Sequence, residues 1–278
     1  MIVSFAGASC EIAARGEVAD TIARFVTSGF VPLMPSDSTQ RCIQIQEIVP
    51  GQLRIAREGE PALTVPKVLG VETLGALLTE SLIRPITAGP TFHAAAIASD
   101  AGAIVLAASS GSGKSTLTAQ MCLLHNWRYL SDEAVCFYSD GTVEGLPRPL
   151  HLRPDSRHIL AAHLAELNES QLWQHDNEAW LVPDALHALA SGSRIPVRVL
   201  AFPHFDASLS KGSANVTELS PALALFRLTQ TFFNPAELDR ATWLTSLSTT
   251  LSSVKCFDLH YGPDSFEAIA DALERALR

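Results

Sequence analysis

The sequence predicts an α/β protein built on a mixed sheet and preceded by a small α+β N-terminal domain. Three observations carry that prediction. Strand-like and helix-like segments alternate after residue 89, the signature of a layered α/β architecture. A Gly/Ser-rich loop, Ala108-Ser109-Ser110-Gly111-Ser112-Gly113-Lys114-Ser115-Thr116, lies between an apolar strand-like run and a helix-like one. Hydrophobic residues make up 47% of the 278 and charged residues 18%, enough apolar material for a sizeable core and too few charges for disorder.

Each element follows from local pattern. Ile2–Phe5 and residues 41–48 and 52–56 have strand-like composition, bounded by turn residues such as Pro50-Gly51. The opening MIVSFAGASC lacks a basic stretch and a long apolar run, so it reads as a first strand rather than a signal segment. Leu74, Leu77, Leu78 and Leu82 recur at helical spacing and predict a helix over 71–83. Pro85 and Gly89-Pro90 then break the chain, which divides it into an N-terminal domain (1–88) and a second domain (89–278). Beyond the break, 92–99 reads as a strand, 100–102 as a hairpin turn and 103–107 as a buried strand. The Gly/Ser loop follows, then a helix through Leu124 that His125-Asn126 stops. Residues 128–138 (RYLSDEAVCFY) read as one strand ended by Ser139-Asp140-Gly141. Helices are expected at 155–167, 221–231 and 264–277, and strands at 197–202 and 254–259. The last helix carries Phe266, Ile269, Ala270, Leu273 and Leu277 at i, i+3, i+4 spacing, a face suited to core packing or to a contact in a homo-oligomer.

Charge narrows the partners. Twenty Lys and Arg against 29 Asp and Glu give a formal net charge of −9, which argues against a broad basic surface for nucleic acid or an anionic membrane. No run approaches the roughly 18–20 apolar residues of a membrane-spanning helix. The five cysteines (Cys10, Cys42, Cys122, Cys136, Cys256) are scattered, odd in number and without a CxxC pair, as expected of free thiols in the cytoplasm. Any anion this chain holds must be gripped by a local device.

The loop at 108–116 is that device. Apart from its first position it matches G-x-x-x-x-G-K-[ST], placed between strand and helix as the motif requires. Backbone N–H groups of Ser110, Gly111, Ser112, Gly113, Lys114, Ser115 and Thr116 would turn inward around a phosphate, and the helix adds the positive end of its dipole. Lys114 would reach the β- and γ-phosphates of ATP, and the Ser115 hydroxyl would bind Mg²⁺. Ala108 stands where the motif has its first Gly; a positive φ there would cost roughly 1 kcal/mol or more, and an ordinary φ nothing.

Eighteen positions after Lys114, Asp132 and Glu133 sit adjacent in an apolar strand-like run. Carboxylates in such a setting are costly unless they meet a metal, a cation or a donor. Strand alternation puts them on opposite faces, so only one points at the loop unless the strand bends. Asp132 is read as the base that accepts a proton from a hydroxyl, with Glu133 helping Ser115 to hold Mg²⁺; the two roles can be exchanged. His93 precedes the hairpin leading into the loop strand, which brings it to the same end of the sheet.

The order His93, hairpin, strand, SGSGKST, helix and YLSDE resembles the C-terminal domain of HPr serine kinase/phosphorylase. It is still more similar to the HPr-kinase-related proteins, including kinases of lasso-peptide biosynthesis. The resemblance spans roughly residues 88–260 and is sharp over 92–138; IPVRVLAFPHF, the helix around Leu223 and Leu228, FFN and CFDLHYG are similar to later family segments. It implies a P-loop HPr-kinase-like fold and a serine kinase. The implied catalytic residues are Asp132, His93 and Lys114, and the implied metal ligands are Ser115 and Glu133. It also implies a phosphate-contacting arginine, for which Arg148, Arg153 and Arg198 are candidates. The family's loop opens with Gly where this chain has Ala108, and the HPr-binding signature is not recognisable here.

Three functions are weighed. The first is ATP- and Mg²⁺-dependent transfer to a hydroxyl, above all a serine, of a peptide or protein. The second is a nucleotide-binding regulatory module without transfer, for which Ala108 and the unassigned arginine speak. The third is a kinase of a small hydroxylated metabolite. No N-K-x-D segment points to a GTPase, and no LSGGQ-like stretch points to a transporter ATPase. Trp173, Trp180 and Trp243 read as packing anchors.

Overall fold

Alternating buried and exposed side chains build the first sheet of the computed structural model, which describes residues 1–31, 41–175, 178–233 and 239–278. Its strands are β1 (Ile2–Phe5), β2 (Ala8–Arg15), β3 (Arg41–Val49), β4 (Gln52–Arg57) and β5 (Leu63–Pro66), hydrogen-bonded in that order. β2 and β3 run parallel, joined through helix α1 (Glu17–Val26); the other pairs are antiparallel. In β4, Leu53 and Ile55 point inward and are fully buried while Arg54 between them is exposed, the period of two expected of a strand with one covered face. Helix α1 contributes Ala19, Ile22, Ala23 and Val26 to that core. Helix α2 (Gly70–Ile83) contributes Leu74, Leu78 and Leu82. The helix expected over 71–83 is present, and β2, α1 and β5 add elements the composition did not single out.

The second sheet is mixed, as its class requires. Its strands are β6 (Thr91–Phe92), β7 (Ala94–Ser99), β8 (Gly102–Ala107), β9 (Arg128–Ser131), β10 (Val135–Phe137), β11 (Thr142–Gly145), β15 (Ile195–Phe205), β16 (Ala214–Glu218) and β17 (Lys255–Tyr261). β8, β15 and β17 are parallel neighbours, and β7 pairs antiparallel with both β8 and β9. A smaller antiparallel sheet of β12 (Leu150–Leu152), β13 (Leu172–His175) and β14 (Glu178–Leu181) covers one side. The helices are α3 (Lys114–His125), α4 (Pro154–Leu164), α5 (Pro221–Thr229), α6 (Arg240–Leu251) and α7 (Phe266–Leu277). In α7, Ile269, Ala270, Leu273 and Ala276 pack into the chain's own core, so most of the apolar face read from the sequence is used internally. Among the described residues no helix is long and apolar enough to cross a membrane.

Two expected strands are interrupted, and both interruptions lie at the candidate site. Residues 92–99 divide at His93, whose backbone N–H leaves the ladder to bond Thr231 O at 2.6 Å. Residues 128–138 divide at Asp132-Glu133, because the buried Ser131 hydroxyl accepts the N–H groups of Glu133 and Ala134, each at 3.1 Å. A side chain that takes backbone donors offers an alternative to the ladder and turns the chain. Of FFN, Asn234 lies outside the described residues. The tryptophans pack as anchors: Trp173 on Phe25 and Trp243 on Phe232, with ring centroids 5.7 and 4.8 Å apart.

The two sheets share a core. Ala134, Cys136, Leu146, Trp180 and Val182 belong to the same buried cluster as Phe5, Ile22, Leu74 and Leu82. Glu144 accepts Ala6 N–H at 3.0 Å and the Tyr138 hydroxyl at 2.6 Å, so the carboxylate at this junction is satisfied on both oxygens. Gly29 leaves no room for a side chain at this junction: a Cβ there would sit 2.0 Å from Pro147 O. Gly29→Ala is therefore expected to cost about 1–3 kcal/mol, read as a lower denaturant midpoint at unchanged slope.

Candidate functional site

Topology gathers the chemistry-bearing residues at one sheet edge. Ala94 faces Ala107 across the β7–β8 pair and Ala96 faces Ser131 across the β7–β9 pair. The start of β7 (His93), the end of β8 (the loop) and the end of β9 (Asp132-Glu133) therefore meet. The parallel strands β15 and β17 end at the same edge with Phe205 and Tyr261. In open α/β sheets, the carboxyl ends of parallel strands are where ligands bind.

The loop joins β8 directly to α3. Gly111 and Gly113 both have φ +86°, the left-handed region that favours glycine. Gly113 is also crowded, since a Cβ there would lie 2.4 Å from the Tyr261 hydroxyl oxygen and 3.0 Å from Phe205 Cβ. Ala108 is not among the positive-φ residues, so its methyl carries no backbone strain. Ser109, Ser110, Gly111, Gly113, Lys114, Ser115 and Thr116 line a cleft of about 420 Å³. Ser112 is turned the other way: its carbonyl accepts Phe205 N–H at 3.0 Å, and its hydroxyl is buried without a partner.

Lys114 opens α3 and is 6% exposed. Its ammonium donates to His93 Nε2 at 2.8 Å, so that nitrogen accepts and the imidazole proton sits on Nδ1, which donates to Glu133 O at 3.1 Å. Burial and then the Lys114 charge hold His93 below the usual histidine range, which keeps the ring neutral; Glu133 opposes them. The 3.7 Å approach of Glu133 Oε1 to Nδ1 is thus a contact with a neutral ring rather than an ion pair. Burial lowers the Lys114 pKa, and Asp132 and then Glu133 pull it back.

Asp132 faces the loop from the turn that Ser131 makes. The Ser115 hydroxyl donates to Asp132 Oδ2 at 2.7 Å, and Oδ1 is buried with no hydrogen-bond partner among the described residues. Burial pushes this carboxyl up to about 6, against the Lys114 charge and the Ser115 hydrogen bond. Glu133, expected beside Ser115 as a metal ligand, instead lies with its carboxylate 3.7 Å from His93 and 3.9 Å from Arg148. The bend lets both acids line the cleft, which strict alternation forbids. A hydroxyl and a carboxylate with an orphaned oxygen are the hard oxygen donors a divalent cation takes. Among the described residues no group of three or more His, Cys, Asp or Glu could hold a metal by itself.

The three candidate arginines separate. Arg153 Nη2 donates to Ser110 Oγ at 3.0 Å and lines the cleft. Arg148 stands behind Glu133, and Arg198 bonds Ala101 O in the hairpin turn at the other end of the β7–β8 pair. His151, the histidine of the 148–157 stretch that the sequence offers either as a phosphate or substrate clamp or as a plain strand-to-helix connection, lines the cleft while stacked on Trp180 (4.6 Å, 13°) and bonded to Glu178 at 2.7 Å. Sequence reading missed the wall that Phe205 and Tyr261 build, since only the parallel pairing of β15 with β17 brings them to the loop.

No protein-family model matches this chain, and a comparison with curated proteins finds no match either. Its chemistry is therefore read from the residues of the site. The folded carboxyl of Asp132 keeps its proton up to about pH 6 while the unfolded one releases it near 3.8, so stability falls as pH rises through that window. Asp132→Asn is expected to stabilise the ligand-free protein by up to about 3 kcal/mol at about pH 7.5 and by little at about pH 4, measured by denaturation at both. Ala108→Gly relieves no strain and is expected to lower stability slightly, read as a lower denaturant midpoint.

Proposed function

We propose that the protein is a P-loop kinase of the HPr-kinase-like type, which transfers the γ-phosphoryl group of ATP, with Mg²⁺, to a serine or other hydroxyl of a peptide or protein. The observation that carries this reading is the Ser115–Asp132 pair beside Lys114, at the start of a helix entered through a glycine-rich turn. Phosphoryl transfer needs little covalent help, so positioning and charge neutralisation do most of the work.

Amide groups at the start of α3 would hold the phosphates, with Lys114 turning from His93 to their oxygens. Arg153, already at Ser110, would neutralise further charge from the cleft wall. Ser115 and Asp132 would hold Mg²⁺, which would supply charge neutralisation for the transferred phosphoryl group. With Asp132 at Ser115, the two acids exchange the roles first expected: Glu133, 31% exposed in its side chain, is left to take the proton of the acceptor hydroxyl. His93, neutral and proton-bearing on Nδ1, keeps the Glu133 carbonyl and the Lys114 ammonium in fixed relation.

Ala108, one of the two motives for a module that binds without transferring, carries no strain. Tight ATP binding with neither hydrolysis nor transfer to any peptide would nonetheless favour that module. Transfer to a small hydroxylated compound alone would favour the metabolite kinase.

Intact-mass detection of one added phosphoryl group on a serine peptide, dependent on ATP and Mg²⁺, tests the reading. Lys114→Ala is expected to abolish transfer and weaken ATP binding strongly. Glu133→Gln is expected to lose about 10²–10⁴-fold in rate with ATP affinity kept. Asp132→Asn should abolish transfer and raise the Mg²⁺ concentration that nucleotide binding requires. Full transfer by Glu133→Gln would return the base role to Asp132.

A further inference from the structure

Among the described residues none that lines the cleft comes from the first 88, yet the N-terminal sheet unit reaches the acid turn through the packing of Ala134 and through Arg148. Arg148, 15% exposed in its side chain, donates from Nη1 to Thr79 Oγ1 in α2 at 2.7 Å. The hydroxyl is free to accept because its own proton goes to Gly75 O at 2.8 Å. Gly75 leaves the room: a Cβ there would lie 3.2 Å from Arg148 Nη2. On its other side the same Nη1 stands 3.9 Å from Glu133 Oε2.

The backbone around Arg148 brackets the turn on which both acids sit. Arg148 O accepts the fully buried Tyr129 hydroxyl at 2.9 Å, just before the turn. Leu146 N donates to Ala134 O at 2.9 Å, just after it. The turn in turn presents Asp132 to Ser115 and the Glu133 carbonyl to His93 Nδ1.

We infer that Arg148 is a positioning residue: anchored on Thr79 of α2, it draws the Glu133 side chain toward the N-terminal unit and fixes the 131–134 turn, so that the spacing of Asp132, Glu133 and His93 around Lys114 depends on residues 1–88. As a statement about turnover this rests on the phosphoryl-transfer reading; as a statement about geometry it does not. Its consequence is that the site is incomplete in residues 89–278 alone. A displacement of about 1 Å in such a constellation is enough to cost about a hundredfold in rate.

The test uses the full chain and the near-isosteric Thr79→Val, with Arg148→Met beside it. The control is Thr21→Val, which removes a hydroxyl bonded to Glu17 O in α1, away from the relay. In Mg²⁺-dependent ATP hydrolysis, where water stands in for the acceptor, Thr79→Val and Arg148→Met are expected to lower kcat about 10- to 100-fold. KM for ATP should stay within about threefold, the split that marks an interaction made in the transition state. The double variant should be no slower than Arg148→Met alone, since both act on one contact. The second readout needs no nucleotide: the imidazole ¹⁵N spectrum of ligand-free protein, with His93 assigned by its absence in His93→Gln. The Nδ1–H tautomer should dominate in the parent and the control and be lost to averaging in the two relay variants. Parent-like kcat and a parent-like His93 signal in Thr79→Val, or strictly additive losses in the double variant, would overturn the inference. A parent that neither binds nor hydrolyses ATP would remove the kinase reading, and the ¹⁵N spectra alone would then decide the relay in either direction.

Discussion

An ammonium group is buried at the start of a helix, and the arrangement around it follows from that one placement. Lys114 occupies the first position of α3, where the macrodipole is already positive and where desolvation further penalises the charge. Three neighbours offset this cost: a neutral imidazole that accepts one N–H, and two carboxylates on the same turn. Each pays back only if its own state is controlled. His93 must be unprotonated, which its burial and the lysine charge ensure. Asp132 must be shared with Ser115, leaving an oxygen unsatisfied. A glycine-rich turn and a buried ammonium at a helix start suit an anion, and an orphaned carboxylate oxygen suits a metal.

Such a site needs a stiff frame, and the frame extends past the loop domain. The strand ends that present the loop, His93 and the acid turn are held in one sheet, but behind the turn Arg148 bonds Thr79 of α2, and Ala134 packs into the core the two sheets share. Glu144 and Gly29 show how closely the two units fit, one by satisfying an amide of the N-terminal hairpin and the other by leaving no room for a methyl group. An overall charge of −9 does not exclude anion binding at this cleft, whose lining includes a helix start and two cations, Lys114 and Arg153.

Much of the fold was legible in the chain, and particular residues show why the rest was not. The hairpin at Ser99–Gly102, the loop strand and the helix ended by Asn126 at φ +55° appear where turn and cap chemistry placed them. The division of 128–138 was missed because Ser131 is an ordinary strand residue until its hydroxyl faces two free amides. Helix α6 and the short strands β11 to β14 lack a clear apolar period, since their packing is set by neighbours distant in sequence. His151 was legible only as part of the 148–157 stretch for the same reason: nothing local announces a stack on Trp180.

The sequence by itself determined the mixed α/β class, the glycine-rich loop with its Lys114 and Ser115, and the pair of acids that follows it, because these depend on motifs and periods a few residues long. Where each acid stands was decided by tertiary structure. Which carboxylate meets Ser115, which arginine meets the loop and which only braces Glu133 depend on a bent strand end and on a helix some seventy positions earlier in the chain. Spacing along a chain fixes what residues are available; only packing fixes the distances at which a charge is neutralised or a proton is moved.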